Sequence, residues 1–225
     1  MLRVESLVVG PFQSNCHIVA CSETNDAVIF DAGDEAPRIL SAVRALGVTV
    51  KAVVNTHAHL DHVSGLAAVV EALGVPVFMH ADEAPVYEGV GQQALMFGLN
   101  PPRTVPIHRW LAEGDVINVG KLRGEVMLMP GHSPGHIIVV FGDEKPPAAI
   151  VGDVLFQGSI GRTDLPGGDH DVMMRTLERF LPMPDETIVY CGHGPETTIG
   201  EEKRWNPFLA PIAARSRPNN GGGVV

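Results

Sequence analysis

The sequence predicts a mixed α/β protein in which outer helices cover a layered β structure. Short runs rich in Val, Ile and Phe recur between Gly, Pro and Asp residues, which is typical of strands. Between some of these runs, apolar residues recur at three- and four-residue steps, the periodicity of a helix. Early and late strands follow one another through hairpin-like turns, while strand and helix alternate in the middle. A purely parallel sheet is therefore excluded.

The predicted elements follow one another in chain order, separated by turn-forming residues. Strands are expected at residues 4–9, 17–21, 27–30, 50–55, 75–79, 116–119, 126–129, 137–141, 148–151 and 187–190. Helices are expected at residues 35–46, 63–73, 82–98 and 172–180, and a capping box at Thr198-Ile199-Gly200-Glu201 begins a further helix. We expect one domain over residues 1–214 and a flexible Pro-, Asn- and Gly-rich tail over residues 215–225.

The composition narrows the classes of protein. The 225 residues are 45% hydrophobic, enough for one large domain with a substantial core. Acidic residues outnumber basic ones by 26 to 16, and the net charge of −10 argues against a nucleic-acid partner. Three cysteines without C-x-x-C spacing favour a reducing compartment. Because neither a signal-peptide pattern nor a membrane-spanning apolar stretch is present, we expect a soluble cytoplasmic protein without a membrane partner.

The most informative segment is Thr56-His57-Ala58-His59-Leu60-Asp61-His62. It places three imidazoles and a carboxylate between a strand-like run and a helix-like run, and these groups are preferred ligands of Zn²⁺ and other first-row cations. Alternation in an extended chain puts His57 and His59 on the same side, where they can share one metal. Asp61 and His62 fall at a helix start, whose partial positive charge favours an ionised carboxylate and a neutral imidazole. These two residues suit a second metal.

Four ligands cannot saturate two cations, and three further candidates stand at strand exits. They are His132, Asp153 and His193. We assign His57, His59 and His132 to one metal, and Asp61, His62 and His193 to the other, with Asp153 bridging both. Two cations about 3.5–4 Å apart would hold a bridging water, lower its pKa and deliver hydroxide to an electrophile, which predicts hydrolysis. The remaining histidines are left out of the site: His17, His80, His108, His136 and His170.

The ordered motifs resemble the metallo-β-lactamase superfamily over nearly the whole chain. They are His57-Ala58-His59-Leu60-Asp61-His62, Gly131-His132, Gly152-Asp153 and Gly192-His193. The resemblance implies the same ligand assignments. It also implies an αββα sandwich of two mixed β-sheets flanked by helices, with the metals at one edge between the sheets.

Three further motifs resemble the glyoxalase II branch of thioester hydrolases. They are Gly10-Pro11-Phe12-Gln13-Ser14-Asn15-Cys16, Gly158-Ser159-Ile160-Gly161-Arg162-Thr163-Asp164 and Cys191-Gly192-His193-Gly194-Pro195-Glu196-Thr197-Thr198. This resemblance implies hydrolysis of S-2-hydroxyacylglutathione, such as S-lactoylglutathione, by attack of a metal-activated hydroxide on the thioester carbonyl. Asp61 and Asp153 are then the catalytic carboxylates. Two divalent metals are implied, with zinc expected and iron or manganese as alternatives.

Other residues near these motifs are candidates for binding the substrate or supporting the metal ligands. Arg162 matches a basic position that helps to hold glutathione in the family, although Asp164 stands where longer glyoxalase II enzymes have an aromatic residue. We expect a short form without the helical C-terminal extension of those enzymes. Lys203 and Arg204 are candidates for bringing positive charge to the site mouth, but solvation of their helix at the surface is the favoured interpretation. Asp31 and Asp164 are predicted to accept hydrogen bonds from ligand imidazoles, with turn capping as the alternative for Asp31.

The main alternative activity on the same scaffold is persulfide dioxygenase, whose family also carries a Gly-Arg-Thr-Asp stretch. That oxidoreductase uses one Fe(II), for which His57, His132 and Asp153 suffice, so that Asp61, His62 and His193 are idle. The Gly-Pro-Glu-Thr-Thr stretch after His193 favours the hydrolases. β-Lactamase activity is disfavoured because Asp153 stands where the largest lactamase subclass has cysteine, and the acidic charge disfavours ribonuclease activity. A non-catalytic metal-binding protein is the remaining alternative.

Overall fold

The computed structural model describes residues 1–216 and contains two six-stranded mixed β-sheets. Across the first sheet lie β1 (Leu2–Val9), β2 (Ser14–Cys21), β3 (Asp26–Phe30), β4 (Thr49–Val54), β5 (Val77–His80) and β6 (Arg109–Leu111). The strands of the second sheet are β7 (Val116–Val119), β8 (Leu122–Leu128), β9 (Ile137–Phe141), β10 (Ala148–Gly152), β13 (Ile188–Cys191) and β14 (Thr197–Thr198). A small hairpin of β11 (Leu155–Phe156) and β12 (Ser159–Ile160) follows β10.

The helices lie between and after these strands. They are α1 (Ala36–Leu46), α2 (Leu60–Val63), α3 (Leu66–Leu73), α4 (Ala84–Glu88), α5 (Val90–Met96), α6 (His170–Leu177), α7 (Ile199–Trp205) and α8 (Leu209–Ser216), with short 3₁₀ turns at Ala81–Glu83 and Glu178–Phe180. None of the helices within residues 1–216 is long and apolar enough to cross a membrane.

Both sheets are buried on their two faces, which gives the αββα layering. In β3, Val28 and Phe30 join the core between the sheets, whereas Ala27 and Ile29 face the core shared with α1 and α3. This division follows from the alternation of side chains along a strand. A third apolar cluster packs the outer face of the second sheet against α6 and α8. The sandwich of two mixed sheets flanked by helices is therefore confirmed.

The topology brings strand ends to one edge of the sandwich. β3 and β4 run parallel in the first sheet, and β10 and β13 run parallel in the second. The two sheets are tied at this edge by Asn15, whose backbone N–H donates to Gly192 O at 2.7 Å. The Asn15 amide also donates to Cys191 O and Gly194 O, at 2.9 and 2.8 Å. The start of β2 is thereby held against the loop that follows β13.

Two predicted helices are divided in the structure. The helix expected at residues 63–73 is α2 and α3 with a break at Gly65, whose N–H donates to Gly33 O at 3.0 Å. A Cβ at Gly65 would lie 2.9 Å from Ala32 O, so the chain bends tightly against the loop after β3. The segment expected to be helical at residues 82–98 is a 3₁₀ turn followed by α4 and α5.

Some short elements were not predicted from the sequence. These are β6, β11, β12, β14 and α8. The strands among them have only two or three residues, too few to show a two-residue alternation. Arg215 and Ser216, which we had assigned to the tail, belong to α8, and the rest of that predicted tail (217–225) lies outside the described residues.

Candidate metal centre

The structure brings all seven predicted ligands together at the edge where the parallel strands end. Their side chains come from the loop and short helix after β4, and from the loops after β8, β10 and β13. These seven residues are His57, His59, Asp61, His62, His132, Asp153 and His193.

Three imidazole nitrogens converge in the first ligand set. His132 Nε2 lies 2.8 Å from His59 Nδ1 and 3.3 Å from His57 Nε2. Nitrogen ligands in a tetrahedral zinc site, each about 2.0–2.1 Å from the ion, lie about 3.3 Å from one another. All three imidazoles are buried, with exposed fractions between 0 and 5%. The spacing and the burial both suit one metal ion.

A carboxylate and two imidazoles form the second ligand set. Asp61 Oδ2 lies 3.5 Å from His62 Nε2 and 3.0 Å from His193 Nε2. Asp153 stands between the sets, because its Oδ1 is 3.4 Å from His62 Nε2 while its Oδ2 is 3.5 Å from His132 Nε2. The same Oδ2 is 3.6 Å from His193 Nε2. This position suits a carboxylate that bridges two ions.

Two buried atoms at the centre of the cluster indicate that a cation belongs there. Within residues 1–216, His62 Nε2 and Asp153 Oδ1 are closed to solvent and make no well-aligned hydrogen bond, although they lie 3.4 Å from each other. A buried polar atom without a partner is costly, more so when it is charged. A donor set of imidazole nitrogen and carboxylate oxygen fits zinc, iron or manganese. The residues therefore fit divalent metal ions.

The surroundings of the first ligand set keep its imidazoles in the protonation state that metal binding needs. Burial holds the pKa of His57 well below its usual range and lowers the pKa of His59 to about 3. Burial likewise lowers the pKa of His132. These imidazoles are neutral near pH 7, so each has a lone pair available for a metal.

In the second ligand set, attraction between opposite charges outweighs the effect of burial on the pKa values. Burial acts to lower the pKa of His62, but Asp61 and Asp153 outweigh it and raise that pKa well above its usual range. Burial acts to raise the pKa of Asp153, but His62 outweighs it and the net shift is downward. The carboxylates are therefore ionised and attract a cation to this side of the cluster.

Asp31, at the end of β3, orients ligands of both sets. Its Oδ2 accepts hydrogen bonds from His62 Nδ1 at 3.1 Å and from Thr56 Oγ1 at 2.7 Å. Thr56 Oγ1 lies 3.1 Å from His57 Nδ1. A proton on Nδ1 of each histidine leaves Nε2 free for a metal. The predicted contact of Asp31 with a ligand imidazole is confirmed. Asp31 Oδ1 accepts a further hydrogen bond from Thr56 N at 2.8 Å. Both carboxylate oxygens are thus hydrogen-bonded, which suits a group that orients the imidazoles.

Glu83 is a supporting residue that sequence reasoning missed. It lies in the 3₁₀ turn after β5, is 0% exposed, and accepts hydrogen bonds from Ala58 N at 2.8 Å, Gly135 N at 2.7 Å and Ser133 Oγ. Ala58 separates His57 from His59, and Ser133 follows His132. One carboxylate thus joins the two loops that supply the first ligand set. No motif marks Glu83, because two of its three partners are backbone N–H groups.

His136, which we had interpreted as structural, supports Asp153 from behind. Its Nε2 accepts the backbone N–H of Asp153 at 3.0 Å, and its ring stacks on His57 with centroids 4.7 Å apart. Gly192 packs so closely that a Cβ there would collide with Asp153 Oδ1. Asp153 is therefore fixed from two sides.

Of the residues predicted to bind the substrate, Arg162 lies at the cavity. Arg162 lines the cavity over the ligands, and its guanidinium makes two hydrogen bonds with Asp164, at 2.7 and 2.8 Å. Asp164 therefore pairs with Arg162, and it is Arg162 O that accepts from His132 Nδ1 at 2.6 Å. This corrects the expectation that Asp164 binds a ligand imidazole. His132 thus bonds to the backbone carbonyl of Arg162, while the Asp164 carboxylate bonds to the Arg162 side chain.

Lys203 and Arg204 do not line this cavity. The Lys203 ammonium donates to Met183 O at 2.7 Å and to Asp185 Oδ1 at 2.8 Å, which ties α7 to the loop before β13. Arg204 is exposed on the same helix. Of the two interpretations given for these residues, the structure favours the surface role.

A cavity of about 420 Å³ opens over the ligands. Five of the seven predicted ligands face it, namely His59, Asp61, His132, Asp153 and His193. A cavity with metal ligands at its base is a site where a small molecule can reach the metal ions. The fold and the site together define an αββα sandwich protein with a metal centre at one edge.

The chain belongs to the metallo-beta-lactamase superfamily, whose profile matches residues 9–193. It is 37% identical over 211 residues to hydroxyacylglutathione hydrolase GloC of Haemophilus influenzae, covering 92% of this chain and 98% of the relative. A solved structure, TTHA1623 in a di-iron-bound form, is 41% identical with a TM-score of 0.83, covering 92% of this chain and 100% of that one. Another solved structure, that of BLEG-1 B3 metallo-beta-lactamase, is 34% identical with a TM-score of 0.84. The match covers 92% of this chain and 99% of that one. Membership supports a metal-dependent hydrolase.

Proposed function

We propose that this protein is a two-metal thioester hydrolase that cleaves S-2-hydroxyacylglutathione, with S-lactoylglutathione as the first substrate to test. The observation that carries the proposal is the position of Asp153 between two complete ligand sets. Similarity to the GloC protein and to a protein with a di-iron form supports it.

Each part of the site has a role in this proposal. His57, His59 and His132 would hold one ion, and Asp61, His62 and His193 the other, with Asp153 shared. Two such ions, when bound, lower the pKa of water and polarise a carbonyl oxygen. Asp61 Oδ2, whose side chain is 20% exposed at the cavity, accepts a hydrogen bond from His193 Nε2 and stays ionised. Asp31 and Glu83 hold the imidazoles in place.

The reaction forms a C–O bond at the thioester carbonyl and breaks the C–S bond. The departing thiolate belongs to a thiol whose pKa is about 8.5, so a strong general acid is not needed. This suits a cavity in which, among the described residues, the titratable side chains are chiefly metal ligands.

The second ligand set favours hydrolysis over persulfide dioxygenase activity. A single Fe(II) would need only His57, His132 and Asp153. In the structure Asp61 Oδ2 lies 3.5 Å from His62 Nε2 and 3.0 Å from His193 Nε2, and all three residues are buried or partly buried. β-Lactam hydrolysis is a second candidate, because of the 34% identity to a B3 metallo-beta-lactamase.

The test is a comparison of three reactions on protein loaded with zinc or with iron. We expect hydrolysis of S-lactoylglutathione, little cleavage of a chromogenic cephalosporin, and no oxygen uptake with glutathione persulfide. Asp61→Asn should lower thioester hydrolysis by at least about 100-fold, while Asp171→Asn, an exposed control at the start of α6, should not. Oxygen uptake without thioester cleavage would contradict the proposal.

A further inference from the structure

The cavity wall above the metal ligands is largely apolar. Its apolar side chains are Phe12, Leu60, Phe97, Phe156, Ile160 and Leu165. Phe12, from the loop between β1 and β2, and Phe97, at the end of α5, meet edge to face with ring centroids 5.1 Å apart. They are 37% and 52% exposed. Aromatic rings left open to water at a cavity mouth gain free energy when an apolar group covers them.

The polar groups in the same wall are already engaged. Gln93 Oε1 accepts the backbone N–H of Leu60 at 3.1 Å. Within residues 1–216, Arg162 is the only lysine or arginine that lines the cavity, and its guanidinium is paired with Asp164. A substrate therefore meets one neutralised cation and a broad apolar surface.

The aromatic pair and the cation come from different layers of the sandwich. Phe12 and Phe97 belong to the layer of the first sheet, whereas Arg162 follows β12 in the layer of the second sheet. In a glutathione thioester the charged groups are on the thiol carrier, and the acyl side is small and uncharged. A carboxylate of the carrier can take the place of exposed Asp164 on the Arg162 guanidinium. The carrier thus suits the side of Arg162, and the acyl substituent suits the aromatic pair.

We propose that the Phe12–Phe97 pair selects thioesters whose acyl group carries a bulky apolar substituent beside the carbonyl, in preference to the methyl group of a lactoyl ester. This rests on the proposed thioester hydrolysis and specifies its acyl group. An aryl or long alkyl substituent covers both rings, while a methyl group cannot reach across them.

The experiment compares S-mandeloylglutathione with S-lactoylglutathione, which share the carrier and the 2-hydroxy group and differ in phenyl against methyl. We expect kcat/KM on the metal-loaded protein to be about tenfold higher for the mandeloyl ester, equivalent to burying about 55 Å² of apolar surface at about 25 cal/mol per Å². Phe97→Ala and Phe12→Ala should each reduce this ratio to about threefold or less. The change in this ratio from wild type to variant is independent of the intrinsic reactivity of the two esters, because that reactivity is the same for every protein compared.

Met96→Ala is the matched control, since Met96 is 73% exposed beside Phe97 and does not line the cavity. It should keep the wild-type ratio. An equal or smaller kcat/KM for the mandeloyl ester, or a ratio unchanged in both phenylalanine variants, would overturn the inference while thioester hydrolysis survives. If neither ester is cleaved, both the proposed function and this inference are refuted.

Discussion

At the scale of single residues, buried carboxylates that are not ligands organise the metal centre. Asp31 orients His62 directly and His57 through Thr56. Glu83 binds the loops that carry the first set, and burial raises its pKa. Its three hydrogen-bond donors keep the carboxylate satisfied without exposure to water.

Glu83→Gln tests this positioning role. The amide must place its NH₂ group against Ala58 N–H or against the Ser133 and Gly135 donors, so one loop loses its anchor. We expect metal affinity to fall about 10- to 100-fold, with a changed visible spectrum of the cobalt-substituted protein. Asp82→Asn, at the exposed neighbouring position, is the control and should keep both properties. Wild-type affinity and spectrum in Glu83→Gln would contradict the role.

Asp164→Ala separates the contact that we predicted from the one that the structure contains. Asp164 is exposed and hydrogen-bonded to Arg162, which lowers the pKa of the carboxyl to about 2. We therefore expect an unchanged metal content and a changed KM for the thioester, because the Arg162 guanidinium is released. Loss of metal in this variant, measured by elemental analysis, would restore the role that we first assigned to Asp164.

The sequence was sufficient to select the seven candidate ligands that the structure brings together, but not the residues that support them. The ligands are histidines and aspartates in a compact motif or beside glycine at strand exits, and such residue types are conspicuous. The support from Glu83, and the replacement of Asp164 by the Arg162 carbonyl, depend on backbone groups. Those contacts are set by how loops distant in sequence pack, which a local pattern does not reveal.

At the scale of elements, α7 holds the hairpin that lines the cavity. Asn206, just after α7, donates through Nδ2 to Ser159 O at 2.9 Å and to Phe156 O at 3.3 Å. Glu202 Oε2 accepts Gly158 N at 2.8 Å. Both side chains are buried, at 0% and 3% exposure. The β11–β12 turn is thereby fixed beside the metal centre.

Asn206→Ala should loosen this hairpin. It removes the amide that donates to Phe156 O, Ser159 O and Glu202 Oε2, of which Glu202 Oε2 keeps the Gly158 N–H, so we expect a loss of about 1–3 kcal/mol in the free energy of unfolding. The value of kcat/KM should fall while metal content is retained. Arg204→Ala, on the exposed face of the same helix, should change stability by less than about 0.5 kcal/mol and leave KM unchanged. Denaturant unfolding and thioester kinetics decide both points.

The helix starts and breaks show where local signals were sufficient. The capping box is confirmed in part, since Thr198 Oγ1 accepts Glu201 N at 3.2 Å. The break at Gly65 was not predicted, because the apolar pattern of residues 63–73 continues through it. The bend is imposed by contact with the loop after β3, which belongs to a different part of the chain.

At the scale of the whole molecule, the buried imidazoles make the metal-free protein sensitive to pH. The lowered pKa values of His57, His59 and His136 mean that the unfolded chain binds protons below about pH 6.5 that the folded chain does not. Stability is therefore lost as the pH falls through this range. For His59 alone the loss is about 2 kcal/mol at about pH 5.

The raised pKa values of His62 and His193 act in the opposite sense. Their contribution is present below about pH 6.5 and is lost as the pH rises through the folded-state values. We expect the urea midpoint of the metal-free protein to be highest near pH 6.5, and bound metal to raise it at every pH above that. A midpoint that rises steadily from about pH 5 to 9 without metal would contradict this balance.

The most direct measurement is a titration of the metal-free protein with Zn²⁺ in which bound metal and S-lactoylglutathione hydrolysis are followed together. We expect saturation at two ions per chain, with hydrolysis reaching its maximum only when the second ion binds. His193→Ala should bind one ion and lose most of the hydrolysis. Full hydrolysis at one ion per chain, unaffected by loss of His193, would contradict a shared two-metal centre.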